Sequence, residues 1–139
     1  MPSVVEIEAQ ARTYDKDALR VESVLGGIRI LRGVSDSIVL TVGIVRPAKV
    51  SQILSASPNA VVQARLFESN YRWGVWTAAL GVAVWGGVFA INHIGTNQPM
   101  PVPITIMSLV LVTYGAMRAD TAKRALSKAI WWYNRDLSR

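Results

Sequence analysis

A chain of 139 residues with fifteen basic and nine acidic side chains, a net charge of +6 and 51% hydrophobic residues has material for one domain and a surplus of positive charge. It contains no cysteine, which excludes disulfides, thiolate metal sites and a cysteine nucleophile in one step. The charge is uneven: residues 1–72 carry nine basic and seven acidic groups, residues 118–139 carry six and two, and the 45 residues from Trp73 to Met117 carry none. A basic segment abutting an apolar one points to anionic lipid headgroups as a partner and away from nucleic acid.

The N-terminus has acids where a secretory signal would have bases, so it is expected to stay on the side where it is made. Ser3 and Glu6 have the spacing of a capping box. Val4, Ile7, Ala11, Tyr14, Ala18, Val21 and Leu25 then recur at steps of three and four, which predicts an amphipathic helix running to Leu25. Its stripe would pack on the rest of the chain or seam against a second helix, and Gly26-Gly27 would end or bend it. Within Ile28–Val45, residues Ser37–Val45 are apolar and rich in β-branched side chains, but with Arg32 and Asp36 on one side and Arg46-Pro47 on the other they are too short to span a bilayer as a helix. A strand, an interfacial segment and a core helix all remain open there, with a place beside the membrane preferred to one across it.

Ser57 followed by Pro58 reads as an N-cap and a first helical residue. Nothing breaks a helix from there to Ile91, a length of about 50 Å against the ~30 Å of bilayer hydrocarbon. Its first turns, with Arg65, Glu68 and Arg72, belong in water or headgroups. The charge-free stretch holds two apolar runs, Gly74–Ile91 and Val102–Met117, joined by the polar, proline-containing Asn92–Pro101. That pattern predicts a helical hairpin crossing a bilayer twice, with spans at about residues 74–92 and 101–117. Tyr71, Trp73 and Trp76 would mark the interface. Ala79, Ala83, Gly86, Gly87 and Ala90 form a small-residue stripe suited to close packing, with Ser108 and Gly115 on the second span as its counterpart or another subunit as the alternative. Bases flank the spans at Arg65, Arg72, Arg118, Lys123, Arg124 and Lys128, and the connecting turn has none, so the positive-inside rule puts both termini in the cytoplasm.

The tail, residues 118–139, plots as an amphipathic helix that could continue the second span. Ala119, Ala122, Leu126, Ala129, Ile130, Tyr133 and Leu137 share one face; Arg124, Lys128, Arg135 and Arg139 share the other, with Trp131 among them. An indole in a basic face suits a headgroup layer or a docked partner, which makes Trp131, Trp132, Tyr133, Arg124, Lys128 and Arg135 the candidate interaction residues. The run Ala129-Ile130-Trp131-Trp132-Tyr133-Asn134-Arg135, with its Leu126-Ser127-Lys128 lead-in, the Ser57-Pro58-Asn59-Ala60 helix start and the glycines of the first span, resembles a group of small bacterial membrane proteins. Those end in a similar motif after two hydrophobic helices. The likeness covers residues 57–139 and implies a bacterial membrane setting, with no chemistry attached.

The fold class expected is therefore mainly α: an N-terminal cytosolic or membrane-adjacent region (residues 1–56), a long helix with its hairpin (57–117) and a basic tail helix (118–139). No catalytic site, metal or cofactor is expected. His93 stands without an acid or second histidine near it in sequence. Asp15, Asp17 and Glu22 fit a solvated helix face, and neither span holds a carboxylate of the kind proton-coupled transporters keep. The function expected is a non-catalytic membrane scaffold or accessory subunit, assembled with itself or with other subunits of a membrane complex. The alternatives are a small pore lined by Thr77, Ser108, Thr113 and Tyr114, or a self-assembling filament subunit.

Overall fold

The computed structural model describes residues 4–24, 27–43, 49–96 and 101–138. The expectations for Ser3, Leu25, Gly26, Val45, the centre of the inter-span turn and Arg139 lie outside the described residues. The protein is mainly helical, with a three-stranded sheet besides. In chain order the elements are α1 (Val4–Asp17), β1 (Leu19–Val24), β2 (Gly27–Arg32), β3 (Ser37–Gly43), α2 (Val50–Ile53), α3 (Pro58–Ala90), a π-helical turn (Ile91–Thr96) and α4 (Val102–Leu137). They form two compact units: one of Met1–Glu68 with Lys123–Arg139, the other of Ser69–Ala122.

In the first unit, α1 stops at Asp17, eight residues short of the predicted Leu25, and the chain turns into β1 at Leu19. The three-and-four spacing carried past that point by coincidence: Val21 also satisfies a period of two, and pairing with β2 decides which period is used. Residues Ile28–Val45, left open between three readings, contain β2 and β3, so the strand reading is the one realised as far as Gly43. The sheet has the order β1-β2-β3 and is antiparallel throughout. Register sets Ile28 opposite Val42 and Ile30 opposite Leu40, a face on which Ile28, Ile30 and Val42 are buried and Leu40 half-buried, while Glu22 opposite Arg29 lies on the other. A bulge between Ile30 and Leu31 lets Val39 go unpaired.

The turn between β2 and β3 seals the end of α1. Gly33 N–H donates to Ala18 O at 2.8 Å and Val34 N–H to Asp15 O at 3.0 Å, which satisfies carbonyls a helix end leaves open. Gly33 has φ +68°, and a Cβ there would come within 2.6 Å of Lys16 O. Both conditions demand glycine. Gly33→Ala is expected to destabilise this unit by about 1–3 kcal/mol, read as a lowered denaturation midpoint; an unchanged midpoint would contradict the turn geometry.

The start of α3 matches the predicted cap. Ser57 Oγ accepts the Ala60 N–H at 3.3 Å, and the same buried hydroxyl donates to Asp136 Oδ2 near the end of α4. Glu68 reaches back from α3 to accept the Ser51 N–H at 2.8 Å, which ties down α2. Leu19, Ile30, Val42, Val50, Leu54, Phe67 and Leu126 are the largest fully buried apolar side chains described in this unit.

In the second unit the two helical segments approach backbone to backbone. A Cβ built on Gly74 would meet Gly115 O and Ala119 N, both at 2.9 Å, and one on Gly81 would meet Ser108 O at 2.8 Å. As the α3 position advances from Gly74 to Gly81, the α4 partner retreats from Gly115 to Ser108, so the segments run antiparallel. Glycine permits the approach because it removes the only atoms standing between the two backbones.

Candidate membrane and docking surfaces

Among the described residues, two helices are long and apolar enough to cross a membrane. What makes that more than composition is where their side chains go. In the Ser69–Ala122 unit the large apolar groups point outward: Trp73, Trp76, Leu80, Val82 and Phe89 on α3, and Ile106, Leu109, Val110 and Met117 on α4, are all exposed. The small residues are the ones turned between the helices. This is the reverse of a water-soluble core.

The small-residue stripe from the sequence takes a different position. Ala79, Ala83 and Gly87 are exposed, Gly86 and Ala90 half-buried, and a Cβ on Gly86 or Gly87 would meet nothing within 4 Å. The close contact falls on the neighbouring stripe of Gly74, Ala78 and Gly81 instead, against Gly115 and Ser108. A shallow apolar groove of about 250 Å³ opens beside it, between Gly81, Trp85, Thr105, Ser108 and Val112. Ser108 is 2% exposed and its hydroxyl has no partner among the described residues. Of the other hydroxyls considered as pore lining, Thr77 donates to Trp73 O of its own helix at 2.7 Å, and Tyr114 Oη accepts two bonds from Arg118 at 2.7 and 2.9 Å.

Arg118 is the first charge after the apolar stretch, and it is held by neutral groups. Its Nη1 donates to Asn70 Oδ1 at 2.7 Å, its Nε and Nη2 reach Tyr114, and its guanidinium carbon lies 5.2 Å from the Tyr114 ring centre. An amphipathic cation beside a tyrosine is what an interfacial layer favours. Further along α3, Trp85, Phe89 and His93 stack in sequence, with ring centres 5.3 and 4.3 Å apart. The imidazole of His93 continues an aromatic ridge, and among the described residues no group of three or more His, Cys, Asp or Glu is placed to hold a metal ion.

The tail face divides as the helical period requires. Leu126, Ala129, Ile130 and Tyr133 are buried, while Arg124, Lys128 and Trp131 are exposed. The aromatic cluster therefore splits: Tyr133, at 8% exposure, belongs to the core, and Trp131, at 57%, belongs to the surface. Arg135 sits over both indoles, with its guanidinium carbon 3.8 Å from the Trp132 ring centre and 5.2 Å from that of Trp131. This stacking holds the cation and orients Trp131 edge-on to Trp132, 5.0 Å between centres.

Three residues of structural weight here are given no role of their own by the sequence. Asn134 accepts the Leu19 N–H at 2.8 Å and donates back to Leu19 O at 2.9 Å, so its amide occupies the open edge of β1 as another strand would. Asp136 receives the Ser57 hydroxyl, and Ser138 O accepts a bond from Gln10 Nε2 at 2.7 Å. The last turn of α4 thus ties α1, β1 and the start of α3. For Asp136 a signal existed, since at 100° per residue it falls in the same arc as Ala122, Ala125, Ala129 and Tyr133. The chain matches no protein-family model, no curated protein and no solved structure.

Proposed function

We propose that this chain is a non-catalytic integral membrane scaffold or accessory subunit of a bacterial cytoplasmic membrane. In this reading α3 and α4 form a transmembrane hairpin with both termini on the cytoplasmic side. The unit built from the two ends of the chain assembles with further copies or with other subunits of a membrane complex. The observation that carries the reading is the outward apolar surface of the Ser69–Ala122 unit over a glycine-packed interior. In water such a surface costs about 25 cal/mol per Å²; in a bilayer that cost is absent. The orientation rests on the bases that flank the spans and their absence from the turn.

Assembly is supported by the exposed faces of α1 and the tail. Ile7, Tyr14 and Trp131 are large apolar groups displayed on one small unit. The test combines alkaline carbonate extraction with mass measurement of the detergent-solubilised native complex. The protein is expected to resist extraction and to migrate at a mass above that of one copy. Trp131→Ala is expected to leave extraction unchanged and to lower the assembly mass. Extraction by carbonate, or a lone monomer with no co-purifying partner, would refute the reading.

A further inference from the structure

The first unit displays two helical faces of opposite character. On α1, Ile7, Ala11 and Tyr14 form an exposed stripe, with Ile7 53% and Tyr14 41% accessible. At 100° per residue Glu8 and Asp15 fall on one side of that stripe and Glu6 and Asp17 on the other, while the bases Arg12 and Lys16 fall on the opposite face. On the tail of α4 the pattern is inverted. Trp131 is the exposed apolar residue, and Arg124, Lys128 and Arg135 fall within about 60° of it on the same side of the helix. One face is an apolar stripe between acids, the other an indole among bases.

We infer that the α1 face of one copy docks on the Trp131 face of a second copy, an inference that rests on the self-assembly branch of the reading above. Charge complementarity selects the occupant, because the acidic and basic halves of the contact are both carried by this chain. Placement selects the symmetry. Gln10 Nε2 donates to Ser138 O at 2.7 Å, so α1 and the end of α4 lie together in the same unit. A two-fold axis then makes both contacts at once, α1 on α4 and α4 on α1, and closes the assembly without leaving either face open. Ile7 and Tyr14 flank the Trp131 ring, and the carboxylates of Glu8 and Asp15 face the ammonium of Lys128 and the guanidinium of Arg124.

The test uses full-length protein in lipid nanodiscs and in detergent. Reversing the acids (E8K with D15K) or the bases (R124E with K128E) is expected to weaken dimerisation about tenfold or more, and combining all four to restore it. Because the chain lacks cysteine, Tyr14→Cys and Trp131→Cys copies can be mixed cleanly. A disulfide between the two variants, and none within either alone, is the expected result. If the protein stays dimeric through both reversals and the mixed disulfide does not form, the interface is elsewhere and the scaffold reading survives. If the base reversal instead abolishes binding to vesicles containing phosphatidylglycerol and leaves the dimer intact, the Trp131 face belongs to lipid and the inference is overturned. If the parent protein is a monomer without partners, the scaffold reading and this interface fall together.

Discussion

Replacing Gly115 by alanine is expected to lower the thermal stability of the full-length protein in detergent by several degrees, while the same change at Gly86 leaves it unchanged or slightly raised. The added methyl at position 115 would lie 2.6 Å from Gly74 O, 2.7 Å from Ala78 N and 2.8 Å from Ala78 Cβ. None of these is a flexible side-chain tip, so the segments must separate along the whole contact. Overpacking of this kind costs about 1–3 kcal/mol, and separation also forfeits the dispersion contacts that hold helices together where no hydrophobic drive exists. At Gly86 a methyl meets nothing within 4 Å, and exchanging glycine for alanine in a helix favours the helix by about 0.5–1 kcal/mol. Thermal scans of the two variants side by side give the answer. Equal shifts would mean that Gly115 is not a packing glycine.

Asn134→Ala is expected to be a strongly damaging truncation in the other unit. Leu19 is 1% exposed, and its N–H and C=O both depend on the Asn134 amide. Removing that amide strands two buried backbone groups, each at about 1–3 kcal/mol, against a total stability of about 5–15 kcal/mol for an ordinary domain. Hydrogen exchange localises the effect: the Leu19 amide is expected to lose protection in N134A while the amides of α3 between Leu80 and Ala90 keep theirs. N134D separates geometry from chemistry, because it keeps the shape and turns the donor toward Leu19 O into an acceptor. At neutral pH it is expected to be at least as destabilising as N134A. A smaller loss in N134D than in N134A would count against the clamp.

How much of the site was legible depended on whether a residue's role was local. The tail's two faces could be read from period alone, because a helix repeats every 3.6 residues whatever surrounds it, and the buried Leu126 and exposed Trp131 follow that reading. Trp131 and Tyr133, read together as interaction residues, fall on different faces, because residues two apart on a helix lie about 160° apart around its axis. The stripe of Ala79, Ala83, Gly86 and Gly87 shows the same limit in another form. Several small-residue rows run along α3, and only the approach of α4 selects the one with Gly74 and Gly81.

Three things about this protein were determined by its sequence: two helices long and apolar enough to span a bilayer, the capped start of α3 at Ser57-Pro58, and the amphipathic division of the tail. Each is governed by neighbours within a few turns, so local composition and period suffice. Tertiary structure decided the rest. Pairing with β2 turned residues 19–24 into a strand where helical spacing ran on, since a strand's stability comes from partners distant in sequence and its own pattern was compatible with either state. The 115-residue separation between Leu19 and Asn134 placed their hydrogen bonds beyond any local rule. The chain's two ends form one unit because buried backbone groups must find partners, and the partners here lie at the opposite end of the sequence.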